Sequence, residues 1–265
     1  MDNTQQLFDL VVLLGPNDLN QINTNIEYNR KNIIGYRNFY VITYDANIKL
    51  PEEVILIDEK IFPFKITDVE YFHGKRSRNG WYLQQLIKIY AGIVIPEILE
   101  KYLVIDCDTF FLKPTTFIEN DKCLYNPGTD YHLPYFEHMK KLNKNLYRLD
   151  ESISGITHHT MFDTNLVKQL IKMVEEEYVD IPFDTVRGRF NRCNPNDKCF
   201  WKLYLIHAYH HCEGSGSAEN ELYFNYIFKF HSDKVKLRIL KWENISTLSN
   251  IDSVNDYVSY HWYLR

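Results

Sequence analysis

The sequence predicts an α/β protein in which a mainly parallel sheet is flanked by helices. Short apolar runs at residues 8–14, 38–43 and 54–58 suit buried strands, and they alternate with stretches of helical periodicity. Strands that alternate with helices usually pair in parallel through right-handed crossovers. A further apolar run ends on Asp106-Cys107-Asp108, the most informative feature of the chain. No linker or repeat divides the sequence, so a single domain over residues 1–265 is expected.

The first half supplies most of the predicted sheet. The strand at 8–14 ends in the turn Gly15-Pro16-Asn17-Asp18, and a helix is predicted over 19–30. A helix with one apolar stripe is predicted over 80–91, directly before the acidic strand end. Its polar residues Gln85 and Lys88 are interpreted as the solvated face unless that face meets a ligand.

The second half is predicted to be richer in helices. An extended segment over 152–162 leads to a helix over 165–177, capped by Asp163 or Thr164. A polar loop is predicted over 183–198, and the next helix runs over 199–211. Ser217 is the predicted N-cap of a helix over 218–230. A late strand over 237–240 and an extended segment over 258–263 complete the chain.

Composition excludes several classes of protein. The net charge is −5 and no basic stripe is found, which argues against a nucleic-acid partner. No apolar run is long enough to span a membrane, and the polar N-terminus lacks the features of a signal peptide. The five cysteines are an odd number and read as reduced thiols. We therefore expect a cytoplasmic protein.

The acidic triplet predicts a metal site. Residues two apart on an extended strand project to the same side, so Asp106 and Asp108 point together from the carboxyl end of a buried strand. Ligands bind at that end in open α/β sheets. Two carboxylates suit Mg²⁺ or Mn²⁺, whose remaining positions go to water and substrate phosphates. The alternative is a solvated turn of ordinary composition.

Histidines and cysteines later in the chain leave two questions open. His158 and His159 lie next to each other on a predicted strand, so at most one readily faces a site. A second set, Cys193, Cys199, His207 and His211, could bind zinc, although zinc sites typically use more closely spaced cysteine pairs.

Four sequence blocks together resemble a known family. They are the GWYLQQ helix at 80–85, the D-x-D strand end, the H-H-x-x-F strand at 158–162 and the S-x-E-x-E-L-Y segment at 217–223. In this order they resemble GT-A nucleotide-sugar glycosyltransferases, and more narrowly a little-characterised bacterial and viral D-x-D group. The resemblance covers roughly residues 8–262 and implies a GT-A-like, Rossmann-like fold.

That resemblance implies roles for the metal-binding and catalytic residues. Asp108 is the expected metal ligand, and Asp106 contacts the ribose or the metal. His261 is the candidate third ligand or diphosphate contact, with a simply packed histidine as the alternative. Glu219 is the favoured catalytic base and Glu221 the second choice, which leans towards inversion at the anomeric carbon.

Donor contacts follow from the same resemblance. Arg76 and Arg78 precede the 80–91 helix, near the expected diphosphate. By this resemblance, the turn after the first strand and the strand end at Asp58 approach the nucleobase and ribose. Other contacts come from the 80–91 helix and from the strand that contains His158 and His159. The remaining predicted donor-binding residues are Pro16, Asn17, Asp18, Asp58, Trp81, Gln85, Asp106, His158 and His159.

The resulting functional hypothesis is transfer of a sugar, dependent on Mn²⁺ or Mg²⁺. The donor would be a nucleotide-diphosphate sugar, preferably UDP-linked, and the acceptor a hydroxyl of a glycan or glycoconjugate. One alternative is a nucleotidyltransferase or another metal-dependent phosphoryl enzyme, although the chain has no P-loop and no G-x-G-x-x-G turn. The other alternative is a non-catalytic glycan-binding domain.

Overall fold

A five-stranded sheet organises the structure, a computed structural model that describes residues 7–179, 198–248, 254–261 and 264. Its strands are β1 (Phe8–Leu14), β3 (Tyr36–Thr43), β4 (Val54–Asp58), β5 (Lys101–Asp106) and β10 (His159–Asp163). The spatial order is β10-β5-β1-β3-β4. The last four pair in parallel, whereas β10 runs antiparallel to β5.

All seven residues of β1 are buried, as expected for a central strand of a parallel sheet that is covered on both faces. Helices α3, α5 and α7 pack together on one face, and α1 packs near β6 on the other. The prediction of an α/β protein with a mainly parallel sheet flanked by helices is therefore confirmed. The helices are α1 (Ile22–Asn32), α2 (Ile66–His73), α3 (Asn79–Val94), α4 (Leu133–Leu142), α5 (Thr164–Glu177), α6 (Phe200–Ala208) and α7 (Glu219–Phe230).

Small sheets attach the C-terminal segments to the central sheet. Strand β13 pairs antiparallel with β6 and parallel with β12, so residues 257–259 return to the chain just after the acidic triplet. The short strands are β2 (Ile33–Ile34), β6 (Thr109–Phe111), β7 (Thr115–Thr116), β8 (Ile118–Glu119), β9 (Lys122–Tyr125), β11 (Val235–Leu237), β12 (Trp242–Asn244) and β13 (Tyr257–Ser259).

Several helix boundaries differ from the predicted ones for local reasons. Helix α1 begins at Ile22 because a short 3-10 helix, Pro16–Asp18, occupies the turn after β1. The expected N-cap of α7 is also wrong: Ala218 holds that position, while the Ser217 hydroxyl donates to Gln85 Oε1 at 2.9 Å. Asp163 does cap α5, where it accepts from the amides of Asn165 and Leu166.

Some predicted elements are shifted, and two helices were not predicted. The late strand is β11, which ends where the predicted 237–240 strand begins. The sequence does not predict helices α2 and α4, because their short apolar stripes are interrupted by charged residues. The predicted loop over 183–198 lies outside the described residues, apart from Lys198. None of the helices in the described part of the chain is long and apolar enough to cross a membrane.

Candidate functional site

The central sheet reverses its strand order between β1 and β5. From β1 the chain continues to β3 and β4 on one side, and it then returns through α2 and α3 to β5 on the other side. Crevices at the carboxyl ends of two such strands are the usual ligand sites of open α/β sheets. Leu13 of β1 is in register with Asp106 of β5, so the turn after β1 and the acidic triplet share this edge.

The acidic triplet joins β5 to β6. Asp106 is the last residue of β5, while Cys107 and Asp108 form the turn. The Asp108 carbonyl accepts a hydrogen bond from the Tyr260 amide at 2.7 Å, and the Ser259 hydroxyl lies 3.4 Å from Asp108 Oδ1. The pairing of β13 with β6 thus brings the segment that contains His261 to the D-x-D turn.

A row of buried asparagines on α1 fixes the same turn. The side-chain amide of Asn25 donates to the carbonyls of Cys107 and Thr109, both at 2.9 Å. Asn29 donates to the Thr109 carbonyl at 3.0 Å and accepts from the Phe111 amide at 3.0 Å. These residues were missed from the sequence. Their placement on one helical face, with Asn32 seven positions after Asn25, is the signal that could have revealed them.

A lysine connects the triplet to the start of α7. Lys88 Nζ lies 2.7 Å from Asp106 Oδ1 and 2.8 Å from Glu219 Oε1. Burial disfavours the ammonium charge, but the carboxylates of Asp106 and Glu219 outweigh burial and raise the pKa of Lys88. The interpretation of Lys88 as a solvated polar-face residue is therefore wrong: it is a buried cation between two carboxylates.

A small cavity adjoins this ion-paired group. It measures about 10 Å³, which is room for about one water molecule. Lys88, Asp106, His158, Glu219 and Asn220 contribute to its lining. The five side chains come from α3, β5, the start of β10 and α7, so this is where the predicted D-x-D, histidine and glutamate blocks meet.

The two neighbouring histidines lie in different environments. The His158 ring packs edge-on against Trp242 at 4.8 Å and lies 5.9 Å from the His261 ring. Burial lowers the pKa of His158 to about 4, against the opposing effect of Asp106, so the imidazole is neutral near pH 7. His158 therefore belongs to the site, as a neutral group.

His159 points into the core instead. Its ring lies 5.0–5.5 Å from those of Phe111, Phe117 and Tyr257, and neither ring nitrogen has a hydrogen-bond partner among the described residues. Burial holds its pKa well below the usual range. The ring of His159 is therefore enclosed by aromatic side chains, while the residue also contributes to the lining of the small cavity, and its donor-binding role stays a prediction.

The two candidate catalytic glutamates have different partners. Glu219 is 5% exposed and is bound to Lys88. Glu221 is fully buried, and it accepts from the Ser154 hydroxyl at 2.5 Å, the Gly155 amide at 2.9 Å and the Asn225 amide at 2.6 Å. Burial raises the pKa of Glu221 against these hydrogen bonds. Glu221 anchors the 154–155 segment to α7 and does not open to the cavity.

The predicted donor contacts on and before α3 are spread over several environments. Gln85 is 1% exposed, and its Oε1 accepts from the Tyr204 and Ser217 hydroxyls, so its placement on a polar face or donor site is wrong. The guanidinium of Arg78 lies 5.5 Å from the ring of Trp81. Arg76 forms an ion pair with Glu213 at 2.5 Å, on a separate surface groove.

The predicted donor contacts in the turn after β1 and at the end of β4 lie at different places on the sheet. Pro16 and Asn17 are exposed beside the D-x-D edge, and the half-buried Asp18 accepts from Gln21 at 2.6 Å. Asp58 lies at the end of β4, three strands from β5, where it caps the next turn by accepting from the Lys60 amide at 2.9 Å. Pro16, Asn17 and Asp18 are therefore close to the switch point, and Asp58 is at the far edge of the sheet.

The side chains at this edge suit a metal ion whose coordination is completed by substrate. They do not suit a closed metal centre, in which the protein supplies every ligand. Within the described ranges, no three His, Cys, Asp or Glu side chains are grouped closely enough to hold a metal. Mg²⁺ commonly takes only one or two carboxylates and completes its coordination with phosphates and water. Asp108 and the oxygen of Asp106 not bound by Lys88 fit that kind of site.

The described residues do not bring the possible zinc ligands together. His207 Nε2 lies 2.6 Å from the Tyr178 hydroxyl, whereas His211 faces Glu137 at 3.5 Å. Cys199 forms no disulfide bond within the described part of the chain, and neither do Cys107, Cys123 and Cys212. Cys193 lies outside the described residues.

Comparisons with known proteins identify the family. The chain belongs to the family described as "Family of unknown function (DUF6492)", whose sequence profile matches residues 26–257. No curated protein matches the sequence. Among solved structures, the chain is similar to the apo form of mouse xyloside xylosyltransferase 1, at 9% identity and a TM-score of 0.48, over 98% of this chain and 99% of that one.

Proposed function

We propose that this protein is a GT-A-type glycosyltransferase that uses a nucleotide-diphosphate sugar, preferably UDP-linked, and glycosylates a glycan or glycoconjugate hydroxyl. The observation that carries the proposal is the ion-paired group Asp106–Lys88–Glu219 at the sheet's switch point, with Asp108 and the 259–261 segment beside it. The bacterial and viral D-x-D group, and a cytoplasmic location, stay predictions from sequence.

In this proposal, Asp108 and the second oxygen of Asp106 would hold Mn²⁺ or Mg²⁺, with His261 as a diphosphate contact. A bound divalent ion supplies Lewis-acid neutralisation of the charge that develops on a departing diphosphate. A neutral His158 suits this environment because it adds no competing positive charge next to Asp106.

The residues of the chain supply positioning and charge. Lys88 holds one oxygen of Asp106 and so orients the other, and its ammonium adds positive charge at the edge where the diphosphate would leave. Glu219 holds Lys88 in place. Because protonation of Glu219 would break that ion pair, we favour a positioning role for Glu219 over the predicted role of catalytic base. Stereochemical inversion remains a prediction without an assigned base.

Nucleotide release tests the proposal. The purified protein is incubated with UDP-, GDP- and TDP-sugars with Mn²⁺, with Mg²⁺ and with EDTA, and the freed nucleotide is quantified. Metal-dependent release of UDP supports the proposal, because even without an acceptor such enzymes transfer sugar slowly to water. Release of sugar 1-phosphate, which requires cleavage within the diphosphate, would instead indicate a nucleotidyltransferase or another phosphoryl enzyme. Failure to bind UDP in calorimetry with Mn²⁺ would overturn the proposal.

A further inference from the structure

A second concavity opens on the surface near the start of α7. It is an open groove of about 460 Å³, a volume within the range of ligand-binding clefts. Its walls come from three parts of the chain: Arg76 before α3, His132 and Pro134 at the start of α4, and the segment from Tyr209 to Ser215. None of these residues takes part in the Asp106–Lys88–Glu219 group.

The floor of the groove is held in place by buried side chains. The Tyr82 hydroxyl accepts from the Gly216 amide at 2.8 Å and lies 3.3 Å from the carbonyls of both His211 and Gly214. On the other wall, His132 Nε2 lies 2.8 Å from the Ser215 carbonyl. A loop anchored at so many points presents a preformed surface to a ligand.

The Arg76 charge in the groove is matched by a carboxylate. Arg76 is paired with Glu213 at 2.5 Å, and His211 faces Glu137 at 3.5 Å. The proposed donor site would gain its positive charge from a bound divalent ion, whereas the Arg76 charge in the groove is already matched by Glu213, so a diphosphate gains little there. A neutral sugar, by contrast, uses both donors and acceptors, and it can lie against an aromatic face such as that of Tyr209.

The groove is joined to the ion-paired group along the chain, because Ser215, in the lining of the groove, precedes Glu219 by four residues. Burial raises the pKa of Tyr135; the hydrogen bond of its hydroxyl with Ser215 opposes that shift, and the charge of Glu219 adds to it. The same ring packs 4.6 Å from His132 and 6.5 Å from Trp81. Tyr135 thus packs against His132 in the lining of the groove, and its hydroxyl interacts with Ser215.

We propose that this groove binds the non-reacting sugar units of a neutral oligosaccharide acceptor, which extends past Tyr135 to place its terminal hydroxyl at the Asp106–Lys88–Glu219 site. This inference rests on the proposed function and specifies the acceptor as a neutral glycan longer than one unit. It also moves Arg76 from the donor, its role by family resemblance, to the acceptor.

Gly214 offers a variant that fills the groove. A Cβ at this position would have His211 O, at 3.8 Å, as its nearest contact, and Gly214 is exposed, so a side chain has room to enter the groove. The test is saturation-transfer NMR of wild type and Gly214→Phe with maltotriose, cellotriose, xylotriose, mannotriose and chitotriose. Glu176→Phe, on the exposed side of α5, is the matched control.

We expect at least one trisaccharide to show saturation transfer with wild type and with Glu176→Phe, and this signal to be lost in Gly214→Phe. No transfer from any of the five sugars to wild type, or unchanged transfer in Gly214→Phe, overturns the inference. If Gly214→Phe does not fold, the ring ¹⁵N resonances of His132, His210 and His211 in wild type replace it, because all three line the groove. Unshifted resonances would also overturn the inference.

The experiments can reject the donor site and the acceptor site independently of each other. Calorimetry of the same wild-type sample with UDP and Mn²⁺ reports on the donor site alone. Trisaccharide binding without UDP binding would keep the groove as a glycan site and reject the glycosyltransferase. UDP binding without trisaccharide binding would reject the groove as an acceptor site and keep the transferase.

Discussion

The side-chain amide of Asn25 donates to the carbonyl of Cys107, the residue between the two acidic side chains, at 2.9 Å. A helix near the N-terminus therefore sets the conformation of a turn more than 80 residues later. Asn25 is fully buried, and the same amide also reaches the Thr109 carbonyl. The direction of the Asp106 and Asp108 carboxylates thus depends on α1 as well as on β5.

Loss of this amide should weaken metal binding. In Asn25→Ala, buried carbonyls lose their donor, so we expect the free energy of unfolding to fall by about 1–3 kcal/mol. Because the turn loses its support, Mn²⁺ affinity should fall by roughly 10- to 100-fold, as is typical when a group that orients a metal ligand is removed. Urea denaturation and Mn²⁺ titration measure the two effects. Asn47→Ala, in an exposed turn, is the control, and unchanged Mn²⁺ affinity in Asn25→Ala would show that the turn holds its shape without α1.

Asp108 should be essential for metal-dependent turnover and dispensable for folding. The Asp108→Asn substitution keeps the shape of a side chain whose carboxylate lies 3.4 Å from the Ser259 hydroxyl. We expect nucleotide release to fall by roughly 100- to 1,000-fold, the usual effect of removing a group that stabilises developing charge. Circular dichroism should be unchanged, and EDTA should have the same effect on wild type, reversed by Mn²⁺. Release by Asp108→Asn at the wild-type rate would remove Asp108 from the site.

Substitutions of Lys88 and Glu219 should be strongly coupled in their effects on the free energy of unfolding. Their side chains are 15% and 7% exposed, so Lys88→Met leaves the carboxylate of Glu219 buried without its partner. Removal of one member of a buried ion pair costs about 3–5 kcal/mol. Adding Glu219→Leu should restore part of that stability, because only the more exposed Asp106 carboxylate is then left without Lys88, while nucleotide release stays low. A double-mutant cycle from urea denaturation measures the coupling. Additive effects of the two single variants would mean that the pair does not act as a unit.

Glu221→Gln separates structure from catalysis. The amide would direct its N–H groups either towards the Asn225 donor or towards the Ser154 and Gly155 donors, so we expect a loss of about 1–3 kcal/mol in the free energy of unfolding. The rate of nucleotide release per folded molecule should fall less than in Glu219→Gln, whose effect reaches Asp106 through Lys88. Thermal melting and initial rates provide the two readouts. A collapse of the rate with an unchanged melting temperature would restore Glu221 as a catalytic base.

Buried neutral histidines should make the fold sensitive to acid. Burial lowers the pKa of His159 well below its usual range and that of His138 to about 3, so both stay neutral in the folded protein at mildly acidic pH. The unfolded chain takes up these protons below about pH 6.5. It then binds more protons than the folded state, and stability falls as pH drops from about 6.5 towards the folded pKa.

His159→Phe tests this linkage directly, because the new ring suits the pocket between Phe111 and Phe117. The loss of stability between about pH 7.5 and pH 5 should be smaller than in wild type by roughly 2 kcal/mol, the contribution of one such histidine. Urea denaturation at both pH values measures the difference. His210→Phe, at an exposed position, should keep the wild-type pH dependence. An equally steep dependence in His159→Phe would show that His159 is protonated without cost in the fold.

Much of the fold could be predicted from patterns among residues that are close in sequence. Strand β1 and the acidic end of β5 could be predicted because a strand buried on both faces is a continuous apolar run that any turn residue interrupts visibly. The cap of α5 by Asp163 could be predicted because the cap and the first turn are adjacent in sequence. Ser217 has the same composition signal and is not a cap, because Gln85, far away in the chain, offers its hydroxyl a buried acceptor.

The sequence by itself determined that an α/β sheet ends in a pair of carboxylates, since periodicity and strand ends are properties of neighbouring residues. Only the tertiary structure decided which charged groups meet. Lys88 and Glu219 are 131 residues apart, and Asn25 and Cys107 are 82 apart. The periodicity of α3 and α1 shows that these side chains occur on a helix, but whether a polar side chain faces water or a buried partner depends on what packs against that helix. The choice between a solvated lysine and a buried cation is therefore made by packing.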